Sequence, residues 1–138
     1  MSDQAMVGAA AFFAATTTVS TAVSLRHPEC PDEPFGLRFP GRVPVHLAVG
    51  LGSGVAAPWP LAIAAMVAAL RAGAGRDWPA KTCAALGATV LVGTVIEPTS
   101  WGLRSSSRSV RATMVLHLLS GATLFLAGTR RLRPQGGS

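Results

Sequence analysis

Long apolar runs, broken by short polar and proline-rich connections, set the pattern of this chain. The first run extends from about Ala5 to Leu25, roughly 20 residues and therefore the length a helix needs to cross hydrocarbon. Its middle carries Thr16, Thr17, Thr18, Ser20, Thr21 and Ser24. Such hydroxyls bond back to the preceding turn or across to a neighbouring helix, which suits packing inside a bundle. The connection from Arg26 to Arg42 holds Pro28, Pro31, Pro34 and Pro40. It is too rich in proline for a regular helix and is expected to lie across one face of the bundle. Two later runs cover about Pro79 to Glu97 and Val110 to Gly128, separated by a Ser- and Arg-rich stretch from Pro98 to Ser109. The tail, 131–138, is expected to be flexible.

Val43 to Leu70 admits two readings. As one helix its 28 residues would run about 42 Å, longer than the hydrocarbon core. Pro58-Trp59-Pro60 falls inside it, and two prolines so close together remove two backbone donors and disfavour an unbroken helix. It is therefore either one kinked span or two short spans, about 43–57 and 60–72, joined by a turn at Trp59. The fold class expected is all-α, a small polytopic helical bundle in a membrane and a single domain over 1–138. Its five spans cover about 5–25, 43–57, 60–72, 79–97 and 110–128, or four if Val43–Leu70 is one span.

Composition strengthens the membrane reading. The chain is 49% hydrophobic and 13% charged, against roughly 25% charged in an ordinary soluble domain. Its net charge of +6 rests on eleven Arg and one Lys, which flank the apolar runs, where positive charge sets membrane orientation. No basic tract lies beside exposed aromatics, so nucleic acid is not an expected partner. With five spans the connection carrying Arg26, Arg38 and Arg42 shares a side with Arg71, Arg76 and Lys81 and with Arg130, Arg131 and Arg133. That gives nine positive residues against three, Arg104, Arg108 and Arg111. With four spans the count is six against six. The positive-inside rule thus favours five spans, the N-terminus outside and the C-terminus in the cytoplasm. The Arg bias and Ala/Gly richness point to a bacterial source and an inner-membrane location.

Within this framework the ionisable residues attached to apolar runs are the candidates for chemistry. Glu97 closes the run that starts at Lys81, and is followed at once by Pro98. A carboxylate at the edge of hydrocarbon needs a partner or a task. His117 lies six residues beyond Arg111, about 9 Å deeper along a helix. Helical spacing places Cys83, Gly87, Val90, Thr94 and Glu97 on one stripe, and Thr113, His117, Ser120 or Gly121, and Leu124 on another. His46, Gly50 and Gly54 make a third. Glu97 and His117 are the expected catalytic pair, since carboxyl and imidazole groups exchange protons near neutral pH. Arg104 and Arg111 are expected to steer or neutralise charge, and Trp101, Thr94 and His46 to complete a substrate site.

Other patterns carry less. His27-Pro-Glu-Cys30 holds two metal-ligand types, but the second close pair of a structural site is missing. Gly50-Leu-Gly52-Ser-Gly54 lacks the strand–turn–helix setting of a phosphate loop. No metal, cofactor or nucleophile triad is expected. The function expected is a membrane-embedded enzyme that moves protons on a lipophilic small molecule, by isomerisation, cyclisation or cofactor-free oxygenation. The alternatives are a structural membrane subunit and a small proton-coupled transporter. The expected partners are the lipid bilayer, a lipophilic substrate, and a second copy or a membrane partner protein.

Overall fold

A computed structural model describes residues 2–26, 40–49, 53, 55–73, 75–97, 101 and 107–133. Those residues form five α-helices and no strand: α1 Ser2–Arg26, α2 Val43–Val49, α3 Trp59–Leu70, α4 Trp78–Ile96 and α5 Arg108–Leu132. The Arg26–Arg42 connection up to residue 39, the His27–Cys30 fragment, Gly50, Gly54, Arg104 and the tail from 134 lie outside the described residues. Three helices, α1, α4 and α5, are long and apolar enough to cross a membrane.

Local chemistry accounts for the helix ends. Asp3 in the first turn of α1 and Arg26 in its last complement the helix dipole, as Arg130 and Arg131 do at the end of α5. Proline breaks the Val43–Leu70 stretch as expected. Pro58 is the N-cap of α3 and Pro60 lies in its first turn, where a missing N–H costs nothing. α4 stops because Glu97 precedes a proline. Its backbone is extended, φ −78° and ψ 123°, the conformation that the following ring imposes.

Among the described residues, α1, α3, α4 and α5 run in alternating directions between two ends of one bundle. Arg131 Nε donates to Asp3 Oδ1 at 2.9 Å and Arg131 Nη2 to Gly73 O at 3.4 Å, so the start of α1, the α3–α4 connection and the end of α5 share one end. α4 and α5 are antiparallel: Gly87 meets Gly121 and Phe125, and Gly128 meets Ala80 and Ala84. At the opposite end Ser24 and Ser53 share a hydrogen bond of 2.6 Å. The end of α1 and Ser53 therefore share that end. Three of the five helices are long and apolar enough to cross a membrane, so the five-span expectation is met in part. α3 has twelve residues, about 18 Å, and does not alone match the roughly 30 Å of hydrocarbon. Ser53 and residues 55–58, which are not helical, precede it.

The core divides by end. Toward the Asp3–Arg131 end it is apolar, with Met6, Ala9, Ala10 and Phe13 of α1 against Ala62, Ala65, Ala68 and Ala69 of α3, Ala80 and Cys83 of α4 and Leu124 of α5. Alanine at these α3 positions lets helices approach closely. Toward the Ser24 end the buried side chains include Thr16, Thr17, Ser20, Ser24, Ser53, Glu97, Thr113 and His117.

Candidate functional site

α5 carries His117 on the face it buries, with Thr113, Ser120, Gly121 and Leu124, the stripe expected from spacing. The imidazole is 2% exposed. Its Nε2 accepts the backbone N–H of Ala57 at 3.3 Å, and its ring packs edge-on to Phe13 with centroids 6.4 Å apart. A backbone N–H can only donate, so the neutral ring carries its own proton on Nδ1. That Nδ1 is buried and has no hydrogen-bond partner.

Two hydroxyls share this condition. Thr16 Oγ1 and Ser20 Oγ are buried without a partner, although Thr17, Thr18 and Thr21 of the same helix bond back to the carbonyls four residues earlier. The register between α1 and α5 follows from two contacts, Asp3 with Arg131 and Phe13 with His117, and agrees with the packing of Val23 against the cluster of Val55, Val110 and Met114. It sets Thr16 level with His117 and Ser20 level with Thr113. Thr113 is satisfied by its own helix, at 2.7 Å from Val110 O.

Glu97 is 5% exposed. It continues the buried face of α4 formed by Cys83, Gly87 and Val90, while Thr94 is half-buried and donates to Val90 O at 2.8 Å. The α4–α5 register places Glu97 level with Thr113, and so about 6 Å along the axis from His117. Glu97 makes an interaction of its own. No hydrogen bond joins it to His117 among the described contacts, because Nε2 serves Ala57 and Nδ1 has no partner. The two expected catalytic residues thus occupy adjacent levels of one buried polar layer without bonding each other.

The remaining expected residues are dispersed. Trp101 is 68% exposed, with Nε1 donating to Val95 O at 2.8 Å, and Arg111 is exposed on α5. Arg104 lies outside the described residues. His46 is buried, but its Nε2 is 3.1 Å from Pro40 O, and no described bond links it to Glu97 or His117. Its ring lies where a side chain on Gly41 would stand, and Gly41 has φ 142°, so glycine is required there. No three His, Cys, Asp or Glu side chains among the described residues gather to hold a metal ion.

Sequence reasoning assigned the α1 hydroxyls to packing and missed Thr16 and Ser20 as site residues. The available signal was their spacing: Thr16, Ser20 and Ser24 are four apart and share one face with Phe13. No known protein family, curated protein or solved structure matches this chain. The site is therefore read from its own chemistry.

Proposed function

We propose that the chain is an integral membrane protein that takes a lipophilic small molecule into its polar half and acts on it by proton transfer. The observation that carries this reading is that, of four buried polar side-chain atoms without partners among the described residues, three, Thr16 Oγ1, Ser20 Oγ and His117 Nδ1, lie on the facing helices α1 and α5, the fourth being His46 Nδ1 beside Gly41. An unsatisfied buried hydroxyl or N–H costs about 1–3 kcal/mol, and no water in a bilayer interior relieves it. Retaining three at two adjacent levels fits groups kept for a ligand. Glu97, one turn away and buried, is the proton acceptor in this proposal, and His117 the hydrogen-bond donor that polarises the substrate. Its Nε2 is committed to Ala57 and unavailable as a base.

The setting is a bacterial inner membrane, crossed by α1, α4, α5 and the composite traverse 53–70. With four crossings the positive residues divide six to six between the two faces. The nine-to-three argument for a cytoplasmic C-terminus falls, and the two described ends share a face.

The broken second traverse favours one other reading, because discontinuous helices near the bilayer midplane hold the substrates of many transporters. A single experiment on protein in liposomes separates the two. Candidate lipophilic substrates are followed for chemical change and for accumulation under a pH gradient. The enzyme reading expects conversion that Glu97→Gln abolishes with the fold intact. Accumulation without conversion would transfer the site to the transporter reading, and unchanged conversion in both Glu97→Gln and His117→Ala would remove the site altogether.

A further inference from the structure

The groups without partners also specify what they hold. Resting on the functional reading above, we infer that the substrate is a neutral lipophilic ketone whose carbonyl oxygen accepts hydrogen bonds from His117 Nδ1–H and from the hydroxyls of Thr16 and Ser20.

Three observations select this class. First, Nδ1 must donate, since Nε2 already accepts from Ala57; it requires an acceptor atom on the ligand. Secondly, α3 begins at Trp59, two residues from the Ala57 N–H that His117 holds. The twelve-residue helix therefore starts inside the bundle on the Nε2 side of the ring, and leaves Nδ1–H to the ligand. A cationic amine would face that donor. Thirdly, a full carboxylate would need a buried cation, and Arg111, one turn and a half away, is exposed. An unpaired ion in an apolar interior is far costlier than a neutral polar group. A carbonyl oxygen, with two lone pairs and no net charge, satisfies all three conditions.

The chemistry that follows is enolisation. Glu97 takes a proton from the carbon next to the carbonyl, and the C–H electron pair forms a C=C bond. The π pair of the carbonyl moves to oxygen, where the three donors bind the developing charge more strongly than the ground-state carbonyl. Return of a solvent-derived proton from Glu97 to that carbon, after the abstracted one has passed to water, exchanges the hydrogen there, and delivery of a proton to the far carbon of a conjugated system moves the double bond. Neither route needs an oxidant, a reductant or a co-reactant.

The test uses full-length protein in nanodiscs with 2-undecanone labelled with ¹³C at the carbonyl, and undecane as the apolar control. Binding through these donors lowers the carbonyl stretching frequency relative to empty nanodiscs. His117→Phe, which keeps a ring beside Phe13, is expected to return the band to its free position and weaken ketone binding about tenfold, with undecane binding unchanged. Thr16→Val and Ser20→Ala remove hydroxyls that bond nothing else, so they keep the test decisive if His117→Phe does not fold. Each is expected to weaken ketone binding about threefold at unchanged helical circular dichroism. A band that stays shifted in all three variants, or equal affinity for ketone and alkane, overturns the inference. Deuterium uptake at the carbons flanking the carbonyl in D₂O reports the proton-transfer reading separately. A shifted band without uptake sinks proton transfer and leaves ketone binding standing, and uptake with an unshifted band does the reverse.

Discussion

Thr16 and Thr17 are neighbours with the same side chain and different circumstances. Thr17 Oγ1 donates to Phe13 O at 3.0 Å, whereas Thr16 Oγ1 meets no partner. A hydroxyl that is buried and unbonded can be replaced by an isosteric methyl at a gain, because its desolvation penalty disappears. Thr16→Val is therefore expected to stabilise the protein by about 1 kcal/mol, and Thr17→Val, which removes a made hydrogen bond, not to do so. Thermal unfolding in detergent checks this: a rise of about 2–4 °C for the first substitution alone, and a lower melting temperature for Thr16→Val would show that its hydroxyl has a partner. If the ligand reading holds, the stabilised variant also binds less, as expected where a site is held against stability. His117 and Glu97 were legible in the sequence because they are ionisable residues attached to long apolar runs. The two hydroxyls were not. Six Ser and Thr in one run look alike, and which of them turns from its own backbone depends on the helix packed against it.

The element scale is governed by glycine and proline. A side chain on Gly128 would stand 2.6 Å from both Ala80 O and Ala84 N, and backbone atoms on a packed helix cannot yield as a flexible side chain does. Gly128→Val is expected to cost about 3 kcal/mol or more by forcing α5 from α4. Gly93, on the exposed face of α4, has nothing within 4 Å of the same position. Gly93→Ala should gain about 0.5–1 kcal/mol from helix propensity alone. Chemical or thermal unfolding of the pair measures both signs, and equal effects would refute the close contact of α4 and α5. Helices 1, 4 and 5 were readable from uninterrupted apolar length, and the break at Pro58 from the backbone donors proline lacks. The non-helical backbone just before α3 was not readable, since apolar composition continues through 43–57 while residues 55–58 are not helical. Hydropathy records what a segment can be buried in, not where its backbone bonds end.

At the scale of the whole molecule, charge counting favoured five spans, whereas the Asp3–Arg131 contact sets the start of α1 and the end of α5 at one end of the bundle. That pair is partly exposed, 26% for Arg131 and 47% for Asp3, so it reports the topology while contributing under about 1 kcal/mol to stability. Asp3→Asn is expected to leave the melting temperature nearly unchanged. The topology itself is tested by Gln4→Cys and Arg133→Cys in a chain whose own Cys30 and Cys83 are replaced. An impermeant thiol reagent should modify both from the same face of sealed vesicles, and labelling from opposite faces would restore an odd number of crossings. The polar character of one half of the bundle was visible in the sequence as hydroxyls late in the first span, with Glu97 and His117 in later ones. Their assembly into one layer depends on the antiparallel register of α1 and α5, a long-range contact that local pattern does not encode.

That register has a consequence for how the protein is made. α1 packs on α5 and α3, and about a hundred residues separate the end of α1 from the end of α5. At about 5–20 residues per second of synthesis, the hydroxyl-bearing face of α1 waits on the order of 5–20 s before its principal neighbour is complete. Thr17, Thr18 and Thr21 pass that interval bonded to their own helix, which lowers the cost of leaving them without a packed neighbour. Thr16 and Ser20 can do the same until α5 arrives. The polar layer is then a late product of assembly, formed only when the last helix brings His117 beside them.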